Sequence, residues 1–320
     1  YLNTEALLDV AQRSGAQAIH PGYGFLSENP EFAEAVIASG LIWIGPSADS
    51  MRKMSSKINA RQIALNNNVP VIPAFTLEMS EVFDSNAIVS EIGLPLLIKS
   101  SAGGGGIGMR EIYAAGELEG AIVEARAQGL RQFGSGDMLL ERLINTGRHI
   151  EVQLAGDQHG NLVHLFERDC SGQRRRQKIL EEAPAPELSD PLRNALHEAA
   201  LRLGHAVAYD NVGTVEFLVD GEEFFLLEMN TRLQVEHGVS EAICGVDLVE
   251  VQINSARGLP LSIDQSILQR NGHAIEARVY AEDVAAGFLP ATGTIVSWGE
   301  PSLPGLRTDS GVCTGSTISH

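Results

Sequence analysis

The 320-residue sequence is short of cysteine, with three, and of positive charge, with 23 Lys and Arg against 41 Asp and Glu. Cys170, Cys244 and Cys313 lie far apart, with no CxxC and no metal-ligand spacing, so a reducing compartment, the cytoplasm or another, is the simplest setting. The formal net charge of −18 argues against broad binding to nucleic acid or an anionic membrane, because both need basic surface. Any anionic ligand must be held by a local group of Lys, Arg and backbone N–H donors within an acidic body. No apolar run approaches the roughly 18 residues of a membrane span, and no charged-then-apolar leader opens the chain. The start at Tyr1 rather than Met predicts a fragment of something longer. There is no G-x-G-x-x-G in the first fifty residues, so a dinucleotide site is unsupported.

What is present is an ordinary globular composition, 44% hydrophobic and 20% charged, with length for two or so domains. The informative stretch is Leu226 to Glu236. Glu228, Asn230, Arg232, Gln234 and Glu236 occupy alternate places, with Met229, Thr231, Leu233 and Val235 between them. In an extended strand these five groups share one face at about 6.6 Å spacing. A solvated edge strand is the competing explanation, but two acids, two amides and a guanidinium with no Lys or Ser make an unusual wet face.

Earlier in the chain, apolar spacing predicts a helix over residues 3–14, capped by Asn3 or Thr4 and stopped by Gly15. His20-Pro-Gly-Tyr-Gly-Phe-Leu-Ser-Glu-Asn29 is a tight, specific turn, Pro30 opens a second helix, and residues 41–44 read as a buried strand. This is an α/β unit lacking its first strand. Residues 49–68 read as one connecting helix carrying Lys57, which sequence alone leaves as a solvated charge. A strand ending at Lys99 runs into Gly103–Gly106. Consecutive glycines let backbone N–H groups approach an anion. With no Gly-Lys-Ser/Thr ending and a strand following, a hairpin closing over phosphates fits better than a linker or a P-loop.

Strands are expected at residues 138–144, 148–154 and 162–167. Residues 168–178 pack five cations into eleven positions, either a solvated face or an anion site. Residues 188–204 form a helix capped by Ser189, and residues 214–220 and 223–230 form a hairpin that sets Glu216 beside Glu228. Glu216, Glu228 and Asn230 are hard oxygen ligands suited to Mg²⁺ or Mn²⁺ bridging phosphates, whereas zinc would want closely spaced His or Cys. Glycines, Lys99 and this carboxylate pair together point to an ATP- and Mg²⁺-dependent activity.

The His20–Asn29 string, the Gly103–Gly106 loop, Glu167-Arg-Asp-Cys-Ser171, Glu181–Pro186 and Glu228–His237 together resemble the biotin carboxylase component of biotin-dependent carboxylases, over essentially the whole chain. Residues 272–278 and 288–290 look most like acyl-CoA carboxylase members. The resemblance implies an α/β ATP-grasp fold divided into a partial Rossmann-like domain (1–54), a linker helix (55–70), a glycine-loop lid (71–143) and a C-terminal domain (144–320). It implies activation of bicarbonate by ATP to carboxyphosphate, then carboxylation of N1′ of biotin held on a carrier domain, in company with a carboxyltransferase component and commonly as a homo-oligomer.

By the same resemblance Lys57, Lys99, Gly104, Gly105, Gly106, Glu141, His149 and Gln173 contact ATP, and Glu216, Glu228 and Asn230 hold the metals. Lys178 and Arg232 bind bicarbonate with Gln234 and Val235, Glu236 is the base, and Arg278 stabilises the biotin enolate. Bicarbonate is planar and anionic, so a guanidinium can grip two of its oxygens while a nearby carboxylate takes its proton. Three positions depart from the family pattern: Ile107 stands for a cation in the glycine loop, Arg176 for a His, and Gly238 for a Pro. Two other readings remain open at this point. One is an ATP-grasp ligase with another acceptor, and the other is a non-catalytic domain serving assembly of a carboxylase.

Overall fold

The computed structural model describes residues 1–101 and 109–319. Residues Tyr1–Glu276 form one compact unit and Ala277–His320 a second. The first unit opens with helix α1 (Thr4–Ser14), where the Asn3 side chain accepts the Ala6 N–H and Gly15 closes the helix at φ 71°. Strands β1 (Ala18–Ile19) and β2 (Ile42–Trp43) pair in parallel on either side of α2 (Pro30–Ala38). Only two residues of the 41–44 run pair, and Ile42 is exposed, so this strand is shorter and wetter than its composition suggests. The connecting segment is two helices rather than one: α3 (Ala48–Ser55) and α4 (Lys57–Asn66) break at Ser56, whose extended backbone and side chain cap α4.

Four antiparallel strands follow, β3 (Ala74–Leu77), β4 (Leu96–Ser100), β5 (Arg110–Ile112) and β6 (Met138–Arg142), with α5 (Ser85–Ile92) and α6 (Leu118–Phe133). Their order is β3-β6-β4-β5. This sheet has its own core of Leu77, Ile88, Leu96, Ile98, Leu118, Ile122 and Leu140, all with negligible exposure. The register of β4 on β6 sets Leu97 opposite Glu141 and Lys99 opposite Leu139. The glycine run at 103–106, with Ile107, lies outside the described residues.

The larger sheet contains β7 (Arg148–Gly156), β8 (Leu162–Arg174), β9 (Gln177–Ala183), β10 (Asn211–Asp220), β11 (Glu223–Asn230) and β12 (Ala274–Ala277), in the order β11-β10-β7-β8-β9-β12. Helix α7 (Asp190–Ala206), capped by Ser189 as its sequence predicts, packs Leu192, Leu196, Ala199 and Leu203 on one face with Ile150, Val152, Val215 and Phe217. Helix α4 adds Ala60 and Ala64 to the same core. Alternation then sends His149, Glu151 and Gln153 of β7, and Thr214 and Glu216 of β10, to the opposite face. Helices α8 (His237–Cys244) and α9 (Leu248–Ala256) complete this unit. The second unit carries short ladders, Glu282–Asp283 with Leu289–Pro290 and Gly293–Thr294 with Thr317–Ile318.

Candidate active site

The polar face of the large sheet centres on Lys178. Its ammonium donates to Glu151 Oε2 at 2.5 Å, Glu216 Oε1 at 2.8 Å and Glu236 Oε1 at 2.7 Å. Three strands and a loop supply these groups. The β10–β7 register puts Glu216 opposite Glu151, and β9 brings Lys178 from the end of the basic run. That run therefore divides: Arg168 is fully buried and Lys178 enters the cluster, while Arg175 and Arg176 form the exposed tip of the β8–β9 hairpin at positive φ. Arg176 pairs there with Glu111 of the smaller sheet at 2.9 Å.

Arg168 organises the cluster from beneath. It donates to Glu151 Oε1 at 2.6 Å, Gln153 Oε1 at 2.6 Å, Ser240 Oγ at 2.9 Å, Thr214 Oγ1 at 3.2 Å and Gln234 Oε1 at 2.9 Å. All five guanidinium N–H groups thus have a partner. Burial works to raise the Glu151 and Glu216 carboxyls, but Lys178 and Arg168 beside the first, and Lys178 and His149 beside the second, hold both well below the usual range. Burial likewise disfavours charge on Lys178, yet Glu151 and Glu216 push its ammonium well above its ordinary value. His149 lies 3.0 Å from Glu216 and is raised by that carboxylate against its burial.

Glu28, from the His20–Asn29 turn, accepts the Thr231 N–H at 3.0 Å where β11 ends, and the chain bends into a loop to Glu236. The five alternate groups are accordingly not one flat row. Glu228 and Asn230 stay on the strand, with Glu228 opposite Glu216; Arg232, Gln234 and Glu236 leave it. Gln234 donates to Glu216 Oε1 at 2.8 Å, and Arg232 donates to Asn230 Oδ1 at 2.8 Å.

Lys57 opens α4 and is driven below its ordinary value by burial, with the Glu228 carboxylate opposing. Lys99 and Glu141 form an ion pair on the smaller sheet. Gln173 donates to His149 Nδ1 at 3.1 Å. Arg278 belongs to the second unit. Sequence reasoning passed over Glu151, Arg168 and Glu28. The alternation already visible at 148–154 would have found Glu151; no local signal marks Glu28, whose partners are more than 200 residues away.

The donor set also tests for a divalent cation. Glu228 is pushed above the ordinary carboxylate range by burial and by the charge of Glu216. Two crowded carboxylates fit a hard cation, while Asn230 donates its amide N–H to Glu216 Oε1 at 2.8 Å and turns its oxygen to Arg232.

The sequence carries matches to three family models: biotin carboxylase N-terminal domain over residues 1–51, carbamoyl-phosphate synthase L chain ATP-binding domain over 56–264, and biotin carboxylase C-terminal domain over 276–320. Biotin carboxylase 2 of Bacillus subtilis is 47% identical over 319 residues, 99% of this chain and 72% of that protein. The chain belongs to the biotin carboxylase family. A methylcrotonoyl-CoA carboxylase alpha subunit from Arabidopsis thaliana is also 47% identical over the whole chain, which spans 44% of it. A biotin carboxylase from Campylobacter jejuni in complex with β,γ-ATP superposes at TM-score 0.95, with 43% identity, 99% of this chain and 71% of that one. The biotin carboxylase domain dimer of Hydrogenobacter thermophilus 2-oxoglutarate carboxylase, with MgADP and bicarbonate, matches at 0.94 and 40% identity, over all of this chain and 71% of that one. The ATP-grasp architecture expected from the motifs is thus the observed one.

Proposed function

We propose that the chain carries out the biotin carboxylase half-reaction: ATP-dependent activation of bicarbonate to carboxyphosphate, then transfer of the carboxyl group to N1′ of biotin on a carrier domain. The observation that carries this reading is the Lys178 ammonium held by Glu151, Glu216 and Glu236, with the Arg232 guanidinium joined to Glu216 through Asn230. Arg232 grips two bicarbonate oxygens, with the Gln234 amide and the Val235 backbone adding donors and Lys178 contributing its positive charge. Glu236, almost wholly buried, takes the bicarbonate proton, which frees an oxygen to attack the γ-phosphorus as ADP leaves.

Lys57, Lys99, Glu141, His149 and Gln173 bind the nucleotide in this reading, together with the glycines 104–106. Glu216, Glu228 and Asn230 hold Mg²⁺ or Mn²⁺, which neutralises phosphate charge when bound. Arg278 stabilises the biotin enolate, an assignment that rests on its matching position in the family sequence. The core around Leu77 is separate from those around Phe32 and Ile150, which supports a lid over 71–143, while the linker helix shares the Ile150 core through Ala60 and Ala64.

A carrier domain and a carboxyltransferase are the expected partners, in keeping with the methylcrotonoyl-CoA and propionyl-CoA carboxylase alpha subunits among the relatives. A homo-oligomer accords with the dimer of the Hydrogenobacter relative. No helix among the described residues is long and apolar enough to cross a membrane, and a reducing compartment suits the three free thiols.

The test is bicarbonate-dependent ADP release with free biotin, on the full-length protein and on Glu236→Gln. Activity is expected in the first, with a loss of at least about 100-fold in the second. Equal rates would remove Glu236 as the base, and no bicarbonate dependence in the wild type would overturn the assignment of function.

A further inference from the structure

Glu28 is outside the set of groups assigned to the reaction, yet it touches the substrate loop through both carboxylate oxygens. Oε1 accepts the Thr231 backbone N–H at 3.0 Å, and Oε2 accepts Arg232 Nε at 3.0 Å. The turn that delivers it is tightly built. His20 Nδ1 accepts the Gly22 N–H at 3.0 Å, which leaves Nε2 as the donor to Gln252 Oε1 of α9 at 2.9 Å. At the other end Ser27 is buried, and Asn29 caps α2 by accepting the Phe32 N–H at 2.6 Å. Glu28 sits between these two fixed neighbours, so its backbone is held from both sides.

Arg232 has five N–H donors. Nε goes to Glu28, one Nη2 proton to Asn230 Oδ1 at 2.8 Å, and one Nη1 proton to the Leu233 carbonyl at 3.3 Å. Among the described residues this leaves one proton on each terminal nitrogen, the pair that a planar two-oxygen anion takes. Without Glu28 the Nε edge loses its anchor, and the guanidinium can turn about its long side chain. The bend at Thr231, where the strand gives way to the loop bearing Gln234 and Glu236, also loses its pin.

We propose that Glu28 is a positioning residue for bicarbonate: it fixes the Arg232 fork and the Thr231 bend so that two guanidinium N–H groups and the Glu236 carboxylate converge on one oxyanion. This rests on the biotin carboxylase reading above and adds a residue to it. Glu28 does not touch the reacting atoms. Its side chain is 42% exposed and that of Arg232 21%, so its loss opens no cavity in the core but takes the carboxylate partner from the guanidinium. A role confined to stability would lower kcat and both substrate affinities together with the melting temperature; a positioning role acts on bicarbonate alone.

The experiment measures bicarbonate and ATP dependence of ADP release, with free biotin, for the full-length wild type, Glu28→Ala, Glu28→Gln and Glu28→Asp, beside their melting temperatures. Glu28→Ala is expected to raise the bicarbonate KM about tenfold or more, the usual consequence of losing a charge-assisted hydrogen bond, with ATP KM within about twofold of wild type. Glu28→Gln keeps an acceptor for Thr231 but not the ion pair, so it falls between; Glu28→Asp keeps the charge and recovers part of the affinity. An unchanged bicarbonate KM in Glu28→Ala, or a rise shared equally by ATP, overturns this role while wild-type turnover keeps the functional reading intact. A wild type without bicarbonate-dependent turnover overturns both.

Discussion

At the scale of single residues the site is a balance of buried charge. Lys178 and Arg168 face Glu151, Glu216 and Glu236, and their exposure runs from none to 13%. Desolvating so many charges is costly, and only close pairing offsets it. Arg168 is the critical member, because it touches Glu151, Gln153 and Gln234 at once and reaches across from β8 to α8 at Ser240. Arg168→Met keeps most of the volume but leaves Glu151 a buried acid with one cation instead of two. A loss of about 3–5 kcal/mol is expected in denaturant unfolding, the range for removing one partner of a buried ion pair. Arg168→Lys should restore little, since an ammonium has three donors for five acceptors. A methionine variant within about 1 kcal/mol of wild type would show that the network sets specificity rather than stability.

At the scale of elements, the packing of α7 on β8 contains a second buried group, on the side of the sheet away from Lys178. His197 of α7 lies 2.6 Å from Glu167 of β8, Arg193 pairs with the same carboxylate, and His164 stacks on His197 with ring centroids 4.0 Å apart. Arg270 approaches Glu167 at 3.9 Å. Arg193 already answers the Glu167 charge, so burial decides. It pushes His197 down to about 4, helped by Arg193 and Arg270, and His164 down to about 3, helped by His197.

Both rings are therefore neutral in the folded protein at neutral pH. Below about pH 6.5 the unfolded chain binds protons that the folded chain refuses, so stability falls as pH drops from there toward 4. Between pH 6.5 and 5 the loss is about 1.5 kcal/mol per ring. Denaturant midpoints at the two pH values should show it, and His197→Gln should flatten the slope. An unaltered slope in that variant would place the acid sensitivity elsewhere. His197 reads from the sequence as one more residue of an amphipathic helix, and nothing local distinguishes it.

At the scale of the whole molecule, what the sequence made legible was whatever lies along one strand or one turn. Alternation over 226–236 picked out the candidate site, and the Glu216 to Glu228 pairing followed from a hairpin whose strand register sets the two residues opposite each other. Contacts between distant strands were not legible: Glu28 on Arg232, Arg168 beneath Gln234, and the division of the basic run between a solvated tip and a buried end all depend on sheet order. The identity of the anion likewise came from resemblance to a family, not from spacing. A formal net charge of −18 means that bringing acids together works against the charge of the whole body. An acidic body already carries Glu228 as a strained acid beside Glu216. Nucleotide with magnesium should therefore stabilise the folded chain beyond nucleotide alone. Ligand at 100 times its Kd contributes about 2.7 kcal/mol, a rise of several degrees in melting temperature. Glu228→Gln separates the two contributions in opposite directions. Removing a crowded buried charge should leave the ligand-free protein as stable as wild type or more so, while the extra rise given by MgADP over ADP with EDTA should disappear. Melting curves with and without magnesium measure both, and a variant that keeps the full magnesium increment would move the metal away from the Glu216 and Glu228 pair.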